Sequence, residues 1–229
     1  MPPGFWFWIT PFGNSAILLP VAGVIAALLL ARRETRRIGW WWCATLAVEC
    51  AAVGGTKVAY MAWGWAPRGL DFIGLSGDSA MAFVFWPAAS AYASSRAGLR
   101  WRCAALAVGV VLAVLVTVSR VETYAHSVAE AVSGAVFGAL IVTGFLMLSW
   151  RTRLTLASRW AWLPVAVLVA LLLVTAGRPR PIDYNDLFAR AALLASGHRT
   201  IYTRCDLGPW AALRPGDRNC HPRGPATVG

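Results

Sequence analysis

Residues 119–149 read SRVETYAHSVAEAVSGAVFGALIVTGFLMLS. From residue 126 onward the run is apolar and has the length a helix needs to cross a bilayer, roughly 17 to 25 residues. Just ahead of it stand Ser119, Arg120 and His126, and Glu130 follows one helical turn after the histidine. An apolar helix with ionisable groups gathered at one end raises two questions: how many such helices the chain holds, and what the charged end does.

Composition answers the first. Of 229 residues, 58% are hydrophobic and only 14% charged, and 13 are tryptophan. A water-exposed surface needs more charge than that, so the chain is read as a membrane protein. Six apolar stretches of spanning length are expected, at roughly 15–31, 40–63, 80–95, 103–119, 126–149 and 160–177. The first is read as a retained helix and not a signal peptide: no positive region precedes it, no small-residue cleavage pattern closes it, and arginines follow it. The predicted fold is all-α: a six-helix transmembrane bundle over residues 1–177, followed by an outward-facing C-terminal tail over 178–229.

The net charge of +11 is not spread as a nucleic-acid surface would be. Arg32, Arg33, Arg36 and Arg37 follow the first segment, Arg96, Arg100 and Arg102 the third, and Arg151, Arg153 and Arg159 the fifth. The alternate connections hold only Lys57, Arg68 and Arg120. The positive-inside rule makes the arginine-rich connections cytoplasmic, so both termini and the other loops face outward. For a bacterial source, this is a multi-pass inner-membrane protein whose charged cluster faces the periplasm. The tail contains IDYNDLFARAALLAS, residues 182–196, which is expected to form a short amphipathic helix on the membrane surface from an Asp cap. It also holds Cys205 and Cys220, a candidate disulfide in an oxidising compartment. Cys43, Cys50 and Cys103 are read as small hydrophobes.

The polar residues at odds with a membrane collect at the outer ends of the middle segments: Lys57, Arg68, Ser76, Gly77, Asp78, Ser119, Arg120 and His126. Cations in such positions are costly and suggest a functional site. Three cations converging with two helix N-termini, whose amides point outward, form an anion site suited to phosphate. His126 and Glu130 are four apart and share a helix face, so the carboxylate can take a hydrogen bond from one ring nitrogen and leave the other available. That arrangement orients a nucleophilic histidine for phosphoryl transfer to the imidazole and then to water.

These residues carry a resemblance to the PAP2 superfamily (type 2 phosphatidic acid phosphatases). Its third motif, Ser-Arg, five residues, His, three residues, Asp, is similar to Ser119, Arg120, VETYA, His126, SVA, Glu130, with Glu in place of Asp. Its second, PSGH, is similar to LSGD at 75–78. Its first, Lys, six residues, Arg-Pro, is approximated by Lys57, VAYMAWGWAP, Arg68, with a longer gap and no following proline. The motifs span residues 57–130. The resemblance implies that Lys57, Arg68, Ser76, Gly77, Ser119 and Arg120 bind phosphate, that His126 attacks phosphorus, and that Glu130 orients it. In the family the second-motif histidine protonates the leaving group; here Asp78 stands at that position. The implied substrate is a lipid phosphate or a lipid diphosphate such as a polyprenyl diphosphate, with no cofactor. General acid catalysis contributes about 100- to 10,000-fold, and a diphosphate, whose leaving group is a stable phosphate anion, tolerates its loss better than a monoester. The alternative is a catalytically impaired protein of the same fold that binds lipid phosphate or a partner.

Plainer uses stand beside these. Lys57 is placed to snorkel to the interface, Arg68 to pair with Asp71, and Ser76 and Asp78 to cap a helix. Glu49, near the middle of the second apolar stretch, is read as a protonated carboxyl hydrogen-bonded across helices. The sequence has no metal-ligand spacing, His198 and His221 belong to the tail, and no nucleotide or nucleic-acid motif is present.

Overall fold

The computed structural model describes residues 3–150, 163–175 and 184–210. Among them every regular element is helical. Helix α1 (Pro3–Ile9) runs through a 3₁₀ turn (Thr10–Gly13) into α2 (Ser15–Leu30). There follow α3 (Arg36–Trp63), α4 (Gly77–Ala93), α5 (Leu99–Glu122), α6 (Val128–Ser149), α7 (Leu163–Thr175), α8 (Tyr184–Ser196) and a closing 3₁₀ helix (Arg204–Trp210).

The helix limits have local causes. Asn14 starts α2 by accepting a hydrogen bond from the Ala16 amide at 2.9 Å, and Ser76 starts α4 by accepting one from the Ser79 amide. Helix α6 begins at Val128, two residues later than its apolar run suggests, because Ser127 and Glu130 form a reciprocal capping box. Gly64 ends α3 in the left-handed region at φ 69°, returning its amide to the Tyr60 carbonyl.

Among the described residues, three segments are long and apolar enough to cross a membrane: Gly4–Leu30, Leu99–Glu122 and Val128–Ser149. Helices also occupy the other three expected stretches, but they differ in kind. Helix α3 carries Arg36, Arg37, Glu49 and Lys57 within its length. At 17 residues, α4 spans about 25 Å, and the 13 residues of α7 about 20 Å.

Helix α4 is the centre of the bundle, packed against α2, α3, α5 and α6. Its Ala80, Met81, Ala82 and Val84 are fully enclosed. Small residues on its neighbours permit this closeness: a Cβ on Gly109 of α5 would come within 2.6 Å of the Trp86 carbonyl, and one on Gly134 of α6 within 2.4 Å of the Ser76 carbonyl. The outer faces of α5 and α6 instead expose Val108, Val111, Val114, Val132, Val136 and Leu140. An apolar surface of that extent suits hydrocarbon better than water.

Helix α8 does not lie apart from the bundle. It packs along α3 and buries Ala192 completely. The amphipathic stretch turns part of its apolar face to α3, while Leu187 and Leu194 stay exposed. The expected cap, Asp183, lies outside the described residues.

Candidate functional site

The polar cluster forms where α3 and α5 end and α4 and α6 begin. Arg120 sits in the last turn of α5, and the chain then reverses through Tyr124, which adopts φ 57°, an uncommon conformation for a side chain of that size. The amides of Ala125 and His126 both return to the Arg120 carbonyl, at 3.0 and 3.1 Å. This tight turn delivers His126 to the mouth of α6, directly above Glu130.

His126 Nδ1 lies 2.9 Å from Glu130 Oε2, with the carboxylate fully buried. Glu130 Oε2 also accepts from the Ser127 amide at 3.2 Å, while Oε1 accepts from the Ile73 amide at 3.1 Å and from the Arg204 guanidinium. Both Glu130 oxygens act as acceptors toward backbone N–H groups, so Nδ1 donates its hydrogen to Oε2 and Nε2 keeps the lone pair. Burial holds the imidazole below its ordinary value of 6.5; the charges of Arg120 and Lys57 act in the same direction, against the Glu130 hydrogen bond. His126 is thus neutral at pH 7 and oriented as a nucleophile requires.

Arg120 Nη2 lies 2.9 Å from Asp78 Oδ2. The other oxygen of Asp78 accepts from Ser15, at 3.0 Å from its amide and 2.8 Å from its hydroxyl. Asp78 is therefore held as a carboxylate, with acceptors where a general acid would need a proton. Arg120 keeps a buried Nε without a hydrogen-bond partner among the described residues. The Lys57 ammonium stands 5.2 Å from the centre of the Phe188 ring, a cation–π contact with α8.

The other predicted phosphate ligands are placed differently. Ser76 is fully buried, with its hydroxyl on Ser79 Oγ at 3.0 Å and its amide on the Glu130 carbonyl at 3.1 Å, so both donors are engaged by protein. Gly77 packs against Val53. Ser119 is also fully buried; it donates to the Val116 carbonyl at 2.6 Å and accepts from Thr10 at 3.1 Å. Arg68 is exposed in the loop, and Asp71, its expected partner, pairs with Arg204 instead. The structure thus brings Lys57, Asp78, Arg120, His126 and Glu130 together, with Arg68 exposed in the loop between α3 and α4.

Glu49 is buried, and its hydrogen bond comes from Cys50 Sγ of its own helix at 3.4 Å, in place of the expected bond across helices. Cys43, Cys50 and Cys103 are free thiols and Cys205 is disulfide-bonded; Cys220 lies outside the described residues. Among the described residues no group of His, Cys, Asp and Glu is placed to hold a metal ion. An apolar cavity of about 300 Å³ between α2, α4 and α7 shares no lining residue with the polar cluster.

Sequence reasoning missed Ser15, Ser127 and Arg204. Ser127 had a local signal, since Ser-Val-Ala-Glu is a capping-box pattern. Ser15 and Arg204 had none, because their partners are 63 residues away for the one and 74 and 133 for the other.

No family model and no solved structure matches the chain. It is 35% identical over 204 residues to an uncharacterized 22.5 kDa protein in the cps region of Klebsiella pneumoniae, covering 88% of this chain and 97% of that one. The chain belongs to the family of that protein.

Proposed function

We propose that this member of the cps-region family is a PAP2-type membrane phosphatase, six helices crossing the bilayer, that removes phosphate from a lipid phosphate or a polyprenyl diphosphate. The observation that carries the proposal is the 2.9 Å contact from His126 Nδ1 to the buried Glu130, beside Arg120. It leaves the Nε2 lone pair available in a cluster whose cations, Arg120 and Lys57, can hold a phosphoryl oxygen. In the first step Nε2 bonds to phosphorus as the ester or anhydride P–O bond breaks, and the leaving oxygen departs with the electron pair. In the second, water attacks phosphorus, the P–N bond breaks, and inorganic phosphate leaves with Nε2 restored.

The distribution of arginines supports an outward, periplasmic active site in a bacterial inner membrane, and the cps (capsule) region named for the relative is consistent with a membrane location. Phosphate release by detergent-solubilised protein from lipid monophosphates and diphosphates tests the reading. His126→Ala is expected to lose at least roughly 10³-fold in turnover. Equal release by both proteins on every substrate rejects it.

The Asp78–Arg120 ion pair supports a second reading, a protein of the same fold whose catalysis is impaired. A carboxylate there occupies the arginine and repels phosphate. Asp78→His separates the two. If the missing acid limits the reaction, turnover on monoesters rises well above the gain on diphosphates; no turnover in either protein favours the impaired reading.

A further inference from the structure

Arg204, on the C-terminal segment and far from every motif, makes ion pairs with Asp71 and with Glu130. Its side chain is only 13% exposed. The segment that carries it is seated at the end of α3: the Tyr202 amide donates to the Met61 carbonyl at 2.8 Å, and the Tyr60 hydroxyl donates to the Thr203 carbonyl at 2.7 Å. The Thr203 amide and hydroxyl both bond Asp206, at 2.6 and 3.0 Å. The ring of Tyr202 packs on Gly64, where a Cβ would come within 3.1 Å of it. Cys205, the next residue, is held by a disulfide.

A fully buried carboxylate requires a compensating positive charge as well as hydrogen bonds. Arg120 is committed to Asp78, and Arg204 is bonded directly to Glu130. Without the Arg204 guanidinium, the charge of Glu130 would act more strongly on His126, 2.9 Å away, and would favour a protonation that consumes the Nε2 lone pair. We infer that Arg204 is a positioning residue of this site, supplied by the C-terminal segment, which neutralises and fixes Glu130 so that His126 stays neutral and aligned. The catalytic meaning of this role rests on the phosphatase reading; the effect on the imidazole does not.

The test is an NMR titration of the His126 ring in the full-length protein in detergent micelles; the chain has three histidines. The charged groups facing His126 are Glu130 on α6, Arg120 on α5, Asp78 on α4 and Lys57 on α3, with Asp71 and Arg204 acting through Glu130. Arg204→Ala is expected to raise the titration midpoint by about one pH unit or more, the usual effect of unmasking a carboxylate at hydrogen-bond distance. It should also lower kcat near pH 6.5 more than it changes KM, with recovery at higher pH. Arg204→Lys, which keeps the charge but loses the two-pronged fork, should move the midpoint in the same direction by less, and it serves if the alanine variant does not fold. Arg199→Ala, exposed on the same segment, should move nothing. An unchanged His126 midpoint in folded Arg204 variants overturns the inference. A wild-type protein without turnover but with the midpoint shift intact rejects the phosphatase reading alone.

Discussion

Two carboxylates near one histidine have opposite fates in this molecule. Glu130 is fully buried and takes hydrogen bonds from His126, Ser127, Ile73 and Arg204. Asp78 is bonded by Arg120 and Ser15 on the other side of the cluster. The first carboxylate orients an imidazole. The second occupies the arginine to which the proposed function assigns the phosphate. Whether an acid helps or hinders an anion site therefore depends on which donor it engages, and the two acids are close enough to be tested against each other.

The largest effect is expected from removing Glu130. Glu130→Ala removes one of the two carboxylates paired with Arg204 and leaves the His126, Ser127 and Ile73 donors without this acceptor, at a cost of about 3–5 kcal/mol. Denaturation in mixed micelles measures it, and a loss below about 1 kcal/mol would mean the pocket admits water. Asp78→Asn should act on binding instead: removing a negative charge from Arg120 should tighten inorganic phosphate binding about tenfold, read by calorimetry. No change would show that phosphate does not use Arg120.

The pH dependence sharpens the same comparison. The folded imidazole of His126 lies below its ordinary 6.5, so the unfolded chain takes up the proton first as pH falls. Its contribution to stability is then complete above pH 6.5 and is lost as pH falls through the folded value. The acid limb of kcat/KM should likewise lie below pH 6.5, and an acid limb above that value would contradict a neutral His126. The smallest effect belongs to Arg68→Ala, which should stay within about 0.5 kcal/mol in stability because the residue is an exposed loop charge. It should leave turnover nearly unchanged, and a large loss of turnover would place Arg68 on the substrate.

Much of this arrangement was legible in residue order. Apolar runs marked where helices form because a run of that length leaves the backbone no better way to satisfy itself away from water. The four-residue step from His126 to Glu130 gave their contact, since that spacing is a property of the helix itself. Ser76 was legible as polar and ahead of a helix, but sequence does not tell a cap that faces inward from a ligand that faces outward. The Gly134 approach turned it inward, because α6 comes so close that the Ser76 amide meets the Glu130 carbonyl. Arg68 matched a motif only in type and order, and it stands exposed in the loop after α3. Arg204 was not legible at all, since nothing in its own neighbourhood encodes a partner 133 residues earlier.

The seat of Tyr202, Thr203 and Arg204 on the end of α3 also sets an order of events in biosynthesis. His126 and Glu130 leave the ribosome well before Arg204, so both are made before the residue that pairs with Glu130. A chain terminated ahead of residue 204 would carry the 57–130 cluster and still lack that guanidinium. Truncation at the C-terminal segment would thus read out at the opposite end of the sequence, in the surroundings of His126.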